Sequence, residues 1–189
     1  MNQFSQKIFS GFCMFVFLTF AFNDHASGAA LSFRSDISTI NIGEMVNVDI
    51  MISGLENIDI GAFDFNINYD DPILVYNSYS LGNGLGVIPD DAEDWSLGDS
   101  GDGTVNIAEI SYLDDLSSQL DEFILATITF TGNTAGTSAL TFSDVFLGDA
   151  LGDPVEFLQN EGSLQVVPVP ATLYLFSSGI LFLVGRRKK

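Results

Sequence analysis

Cysteine and histidine are almost missing from this chain of 189 residues, which has one of each, Cys13 and His25. Both sit in its first segment. Basic side chains are nearly as scarce: Lys7 lies near the amino end, Arg186, Arg187, Lys188 and Lys189 close the carboxyl end, and Arg34 stands alone between them. Each scarcity excludes a chemistry. Past residue 29 there is no thiol for a disulfide or a Cys-His pair, and no imidazole for a Ser-His-Asp triad or a histidine-ligated zinc. Between residue 29 and the final two residues there is no lysine to form a Schiff base. Carboxylates alone remain as catalytic groups, which leaves open only a glycosidase working with two acids. Nothing in the sequence singles out such a pair, and the chain reads as a non-enzyme.

Acidic residues are abundant where basic ones are absent. Of the 25 Asp and Glu, 24 lie between Asp36 and Glu161, against the single cation Arg34. A surface of this sign repels phosphate backbones, so nucleic acid is excluded as a partner. At 47% apolar and 16% charged residues, the chain is nonetheless too hydrophobic for disorder and suits one folded domain with appended segments.

The first appended segment spans residues 1–29. Lys7 precedes an apolar run from Ile8 to Phe22, and small residues follow at Ser27 to Ala29, the layout of a secretory signal peptide cut before Ala30 or one residue earlier. Residues 30–166 are long enough to bury a core. Their apolar period is two: Val46, Val48, Ile50 and Ile52 alternate with polar neighbours, as do Phe63, Phe65, Ile67 and Tyr69. Further strands are expected over 31–34, 73–79, 104–112, 123–131, 137–142, 145–147 and 162–166, separated by turn residues such as Gly82-Asn83-Gly84. Eight or nine short strands imply an all-β fold, an antiparallel β-sandwich. The only helical hint is one turn within Asp114 to Leu120. Phe33, Phe63, Phe65, Phe123, Phe130 and Phe142 are the expected core aromatics.

The last appended segment spans residues 167–189. Pro168 and Pro170 end the final strand, Ala171 to Val184 carries no charge, and four cations close the chain. This stretch resembles the PEP-CTERM sorting domain of bacteria in a V-P-x-P-A form: Val167, Pro168, Val169, Pro170 and Ala171, then Ser178-Gly179 inside the apolar run, and Arg186, Arg187, Lys188 and Lys189 at the end. Val169 replaces the usual glutamate. The resemblance implies a hydrophobic sorting helix that enters the inner membrane transiently as a single transmembrane segment. It also implies processing by an exosortase-type enzyme, in a Gram-negative bacterium that secretes exopolysaccharide.

Much of the middle resembles a cohesin domain. The residues that carry this are Gly61-Ala62-Phe63 leading into a strand that ends Tyr69-Asp70-Asp71-Pro72, then Leu125 to Phe130 and Gly136-Thr137-Ser138. The resemblance implies a jelly-roll β-sandwich of about nine strands. It further implies a binding or adhesion function, with a dockerin-like protein as one partner class and a polysaccharide as the alternative. The place expected for such a module is the cell surface or outer membrane, or the exopolysaccharide matrix of a biofilm.

Two constellations are candidate sites. Asp90, Asp91, Glu93, Asp94, Asp99 and Asp102 are close in sequence and offer oxygen ligands for calcium. The run Gly98 to Glu109 matches only the second half of an EF-hand loop, and Asp99 to Gly103 reads more simply as a hairpin turn. Trp95, the single tryptophan, and Tyr112 flank that turn and are the candidate ligand-binding pair. Tyr76 and Tyr79 have opposite parity, which puts them on opposite sheet faces unless a bulge intervenes.

Overall fold

A computed structural model describes residues 28–35, 37–56 and 58–169. Residues 1–27 of the expected signal segment and most of the sorting tail, including Pro170, Ala171, Ser178, Gly179 and Arg186 to Lys189, lie outside the described residues. Twelve strands follow in chain order. They are β1 (Ala29–Arg34), β2 (Thr39–Asn41), β3 (Met45–Ser53), β4 (Ala62–Asn68), β5 (Leu74–Leu81), β6 (Ala92–Asp94), β7 (Gly98–Asp99), β8 (Thr104–Ser111), β9 (Phe123–Gly132), β10 (Gly136–Gly148), β11 (Phe157–Asn160) and β12 (Gly162–Val167).

The strands form two packed sheets. One has the order β11-β1-β3-β9-β5, and the other the order β2-β12-β10-β4-β8-β6, with β7 also paired to β8. Most pairs are antiparallel, while β1 with β11 and β2 with β12 run parallel. The amino-terminal stretch thus contributes β1 to one sheet and β2 to the other, closing that side of the sandwich. Between the sheets the inward residues of each alternating strand interdigitate. Phe65 stacks on Phe63 and meets the edge of Phe142, with ring centroids 5.2 and 5.7 Å apart, and Phe33 stacks on Phe142 at 4.1 Å. Phe63 and Phe65, at most 2% exposed, each contribute roughly 1.5–3 kcal/mol.

Several expectations change. The stretches 137–142 and 145–147 are one strand, β10, whose register shifts between Ser143 and Phe146 at a bulge where Asp144 takes a φ of 50°. Four short edge strands, β2, β6, β7 and β11, bring the count above nine. At two to four residues they are too short for alternation to show. A second bulge, between Tyr76 and Ser78, cancels the parity difference in β5 and turns both Tyr76 and Tyr79 toward the interior, opposite Phe130 and Ile128.

No helix forms over Asp114 to Leu120. That loop is held instead by Gln119, which accepts from Ile60 N–H at 2.8 Å and donates to the carbonyls of Ile60 and Gly84 at 2.8 and 2.9 Å. Asp99 to Gly103 is the hairpin turn joining β7 to β8. Gly103 has a φ of 83°, and a Cβ there would lie 2.6 Å from the Tyr69 carbonyl oxygen, so the turn needs glycine twice over.

Candidate functional site

Four adjacent strands, β6, β8, β4 and β10, lay their outward residues side by side on one solvent face of the larger sheet. Registers fix the rows. Glu93 is opposite Ile110, which is opposite Ala62; Ala108 is opposite Asp64, which is opposite Phe146; Asn106 is opposite Asn66, which is opposite Ser143; Thr104 is opposite Asn68, which is opposite Thr141. Trp95 extends β6 by one residue, its N–H donating to the Ala108 carbonyl at 2.9 Å.

The first two rows are largely apolar and aromatic. Trp95 is 62% exposed, Tyr112 55% and Phe146 42%. Large aromatics left open to water on a sheet face are the residues that anchor protein interfaces. The other rows form a polar ladder. Asn106 Nδ2 donates to Asp64 at 2.8 Å and to Asn66 Oδ1 at 3.0 Å, while its Oδ1 accepts from Leu97 N–H at 3.0 Å. Asn66 Nδ2 donates to Asp144 at 2.9 Å, and Asn68 Nδ2 donates to Ser143 Oγ at 3.0 Å. The β10 bulge is what aims Asp144 at Asn66.

The structure brings Trp95 and Tyr112 together around Glu93. The Tyr112 hydroxyl donates to Glu93 Oε2. That bond, with one from the Trp95 indole, holds the Glu93 carboxyl below its usual range, and Glu93 in turn raises the Tyr112 phenol.

The candidate calcium ligands are not brought together. Glu93 and Asp94 are neighbours on a strand and therefore point to opposite faces. Asp90 and Asp91 lie in the turn before β6, Asp99 accepts from the Tyr69 hydroxyl at 3.2 Å, and Asp102 accepts from the Ser100 hydroxyl. The Ser100 bond holds Asp102 below the usual carboxylate range. Burial and the nearby Asp99 charge push Tyr69 up to about 12. Among the described residues, no three carboxylates gather as a metal site would require.

One functional-looking residue was hidden from the sequence. Glu109 sits on the inward side of β8, only 2% exposed, directly across from Asp94, and its Oε1 has no hydrogen-bond partner. Burial, reinforced by the Asp94 charge, raises its pKa to about 7. Burial works against the Asp94 charge too, but bonds from Ser96 and Tyr79 outweigh it and hold Asp94 below the usual range. The signal available was Glu109 at an odd position among Val105, Ile107 and Glu109, the inward parity of that strand.

A cohesin-domain family model matches residues 34–166. The chain has no match among curated proteins. Among solved structures it is similar to the sixth cohesin of scaffoldin B from Acetivibrio cellulolyticus, in complex with a Cel5 dockerin. The two are 21% identical with a TM-score of 0.62, over 74% of this chain and 99% of that one. It is similar to a non-cellulosomal cohesin of the archaeon Archaeoglobus fulgidus, 14% identical with a TM-score of 0.58, over 74% and 91% of the two chains. A cohesin module from a Clostridium perfringens family 33 glycoside hydrolase is 12% identical with a TM-score of 0.58, over 74% and 98%. With two sheets of the expected kind and a family match running from Arg34, the last residue of β1, to Val166 in β12, the chain belongs to the cohesin domain family and is a non-catalytic binding module.

Proposed function

We propose that this chain is exported and binds a dockerin-like protein through the outer face of β10, β4, β8 and β6. One observation carries the reading: three exposed aromatics, Trp95, Tyr112 and Phe146, border a pre-formed amide and carboxylate ladder on that face and, among the described residues, on no other. Aromatic anchors beside fixed polar groups supply affinity and register together. The dockerin complex of the Acetivibrio relative supports the partner class. The test is affinity capture from the secreted proteins of the native host, followed by mass spectrometry. A captured protein carrying a dockerin-type module, lost with Trp95→Ala but retained with Asn47→Ala on the opposite sheet, supports the reading. Equal capture by both variants sinks it.

Export and tail processing belong to the same proposal. Ala29 is fully buried within β1 and paired to Phe157, so a signal cut before Ala29, the earlier of the two sites, leaves the strand complete. At the other end Val167 closes β12, paired to Asn41, which supports exosortase-type cleavage beyond it, in the proline segment that follows. The tail inserts in the inner membrane until cut, and the domain then resides at the cell surface or in the matrix. Intact-mass measurement of the host protein tests both ends: a form starting at Ala29 and lacking Arg186 to Lys189 is expected, and a full-length form contradicts it.

A further inference from the structure

A cleft of about 670 Å³ opens along the sandwich edge between β5, the Gly82–Ile88 loop and β6. That size falls within the roughly 300–1,000 Å³ of small-molecule sites. It lies behind the aromatic face, because Asp94 points inward from β6 while Glu93 and Trp95 point outward. Tyr79 lines it beside Asp94, the Asn83 amide and Ser80 stand at its rim, and Val87 and Ile88 form an exposed apolar lip.

Its polar groups are fixed before any ligand arrives. Asp94 Oδ2 accepts from the Tyr79 hydroxyl at 2.8 Å, and Oδ1 accepts from Ser96 N–H at 2.9 Å. The cleft thus presents one charged acceptor in its lining, Asp94, and no cation answers it: Arg34, the single basic side chain among the described residues, is paired with Asp49 across β1 and β3 at 3.3 Å. Its complement is a ligand rich in O–H or N–H groups, with an apolar surface to lie on a phenol ring.

We propose that this cleft binds a short neutral or amino-bearing saccharide, with Tyr79 against a pyranose face and Asp94 accepting from its hydroxyl or amino groups. Acidic sugars are refused, because their carboxylates would face Asp94 unpaired. The site is separate from the protein-binding face and stands without it.

The test is calorimetric titration of the full chain with cellobiose, with the β-1,4-linked disaccharide of glucosamine, and with digalacturonate. Saturable binding of either of the first two at about millimolar affinity or tighter is expected, with none for the third. Both Asp94→Ala and the shape-preserving Asp94→Asn weaken it at least about tenfold, the scale of one lost charge-assisted hydrogen bond. Tyr79→Phe, which keeps the ring, has the smaller effect. Trp95→Ala leaves saccharide binding within about twofold while removing partner-protein capture, so the two proposals fail separately. Absence of saturable binding of both non-acidic disaccharides overturns the inference. So does preference for digalacturonate, or loss on Trp95→Ala with Asp94→Asn unaffected.

Discussion

The two solvent faces of the sandwich are made from the same alternating strands, yet they differ in what they leave open. On the smaller sheet, hydroxyls and amides or carboxylates close on one another. Thr127 donates to Asp49 at 2.8 Å, Thr129 to Asn47 at 2.9 Å and Thr131 to Asn77 at 2.7 Å, and Arg34 covers Asp49 as well. That face has no exposed aromatic ring among its described residues. On the larger sheet, a similar ladder holds Asp64, Asn66 and Asn106 in place, but Trp95, Tyr112 and Phe146 stand beside it with their rings in water. A self-satisfied polar face gains little by meeting a partner. A face with fixed polar groups and open rings gains from both terms. Composition does not separate the two, since both are strands of mixed Thr, Asn and Asp; the separation comes from where the aromatics fall in the outward parity.

Four results would break or sharpen this contrast. The largest is the double substitution of Trp95→Ala with Tyr112→Ala, which should weaken partner binding by about a hundredfold or more, as interface hot spots do. Titration calorimetry against the captured partner measures it, and a change under threefold, on the order of 0.6 kcal/mol, would erase the distinction between the faces.

Comparable in size is the effect of the carboxyl beneath the larger face. The pKa of Glu109 is about 7 folded against an ordinary 4.5, so between those values the folded state holds a proton that the unfolded state has released. Stability therefore falls as pH rises from 4.5 to 7, by roughly 3 kcal/mol in all, and stays at the lower level above. Glu109→Gln should flatten the dependence over that window, read from urea midpoints at pH 4.5 and pH 8. An unchanged slope would show the carboxyl to be solvated.

Smaller again is Asn106→Ala, which removes the centre of the ladder and frees Leu97 N–H. A loss of about 1–2 kcal/mol of stability is expected, with partner affinity reduced alongside. Smallest is Thr129→Ala on the opposite face. A single exposed hydrogen bond is lost, and stability should move by about 0.5 kcal/mol with partner affinity unchanged. An effect on binding equal to that of Asn106→Ala would reverse the assignment of the faces.

Much of this was legible in the sequence, and the missing parts have physical reasons. Strict alternation in Val46 to Ile52 and Phe63 to Tyr69 placed β3 and β4, and their phenylalanines are in the core. The strand that ends Tyr69-Asp70-Asp71-Pro72 does stop there, in a turn whose Asp70 carbonyl accepts from the Ile73 and Leu74 N–H groups at 2.9 Å. Trp95 and Tyr112 flank a hairpin in the sequence, and they do meet around Glu93. Bulges are what periodicity cannot see: one extra residue at Asn77 reversed the face of Tyr79, and another at Asp144 carried Phe146 to the outer face. The third aromatic of the site was hidden for that reason. Closeness along a strand does not gather acidic residues, because it sends Glu93 and Asp94 to opposite sides of the sheet.

The measurement that bears most directly on the account is amide hydrogen exchange of the full chain, free and with the captured partner bound. Protection concentrated in β6, β8, β4 and the Phe146 end of β10, with β3 and β9 unchanged, is the predicted result. Protection concentrated in β3, β9 and β5 would contradict it.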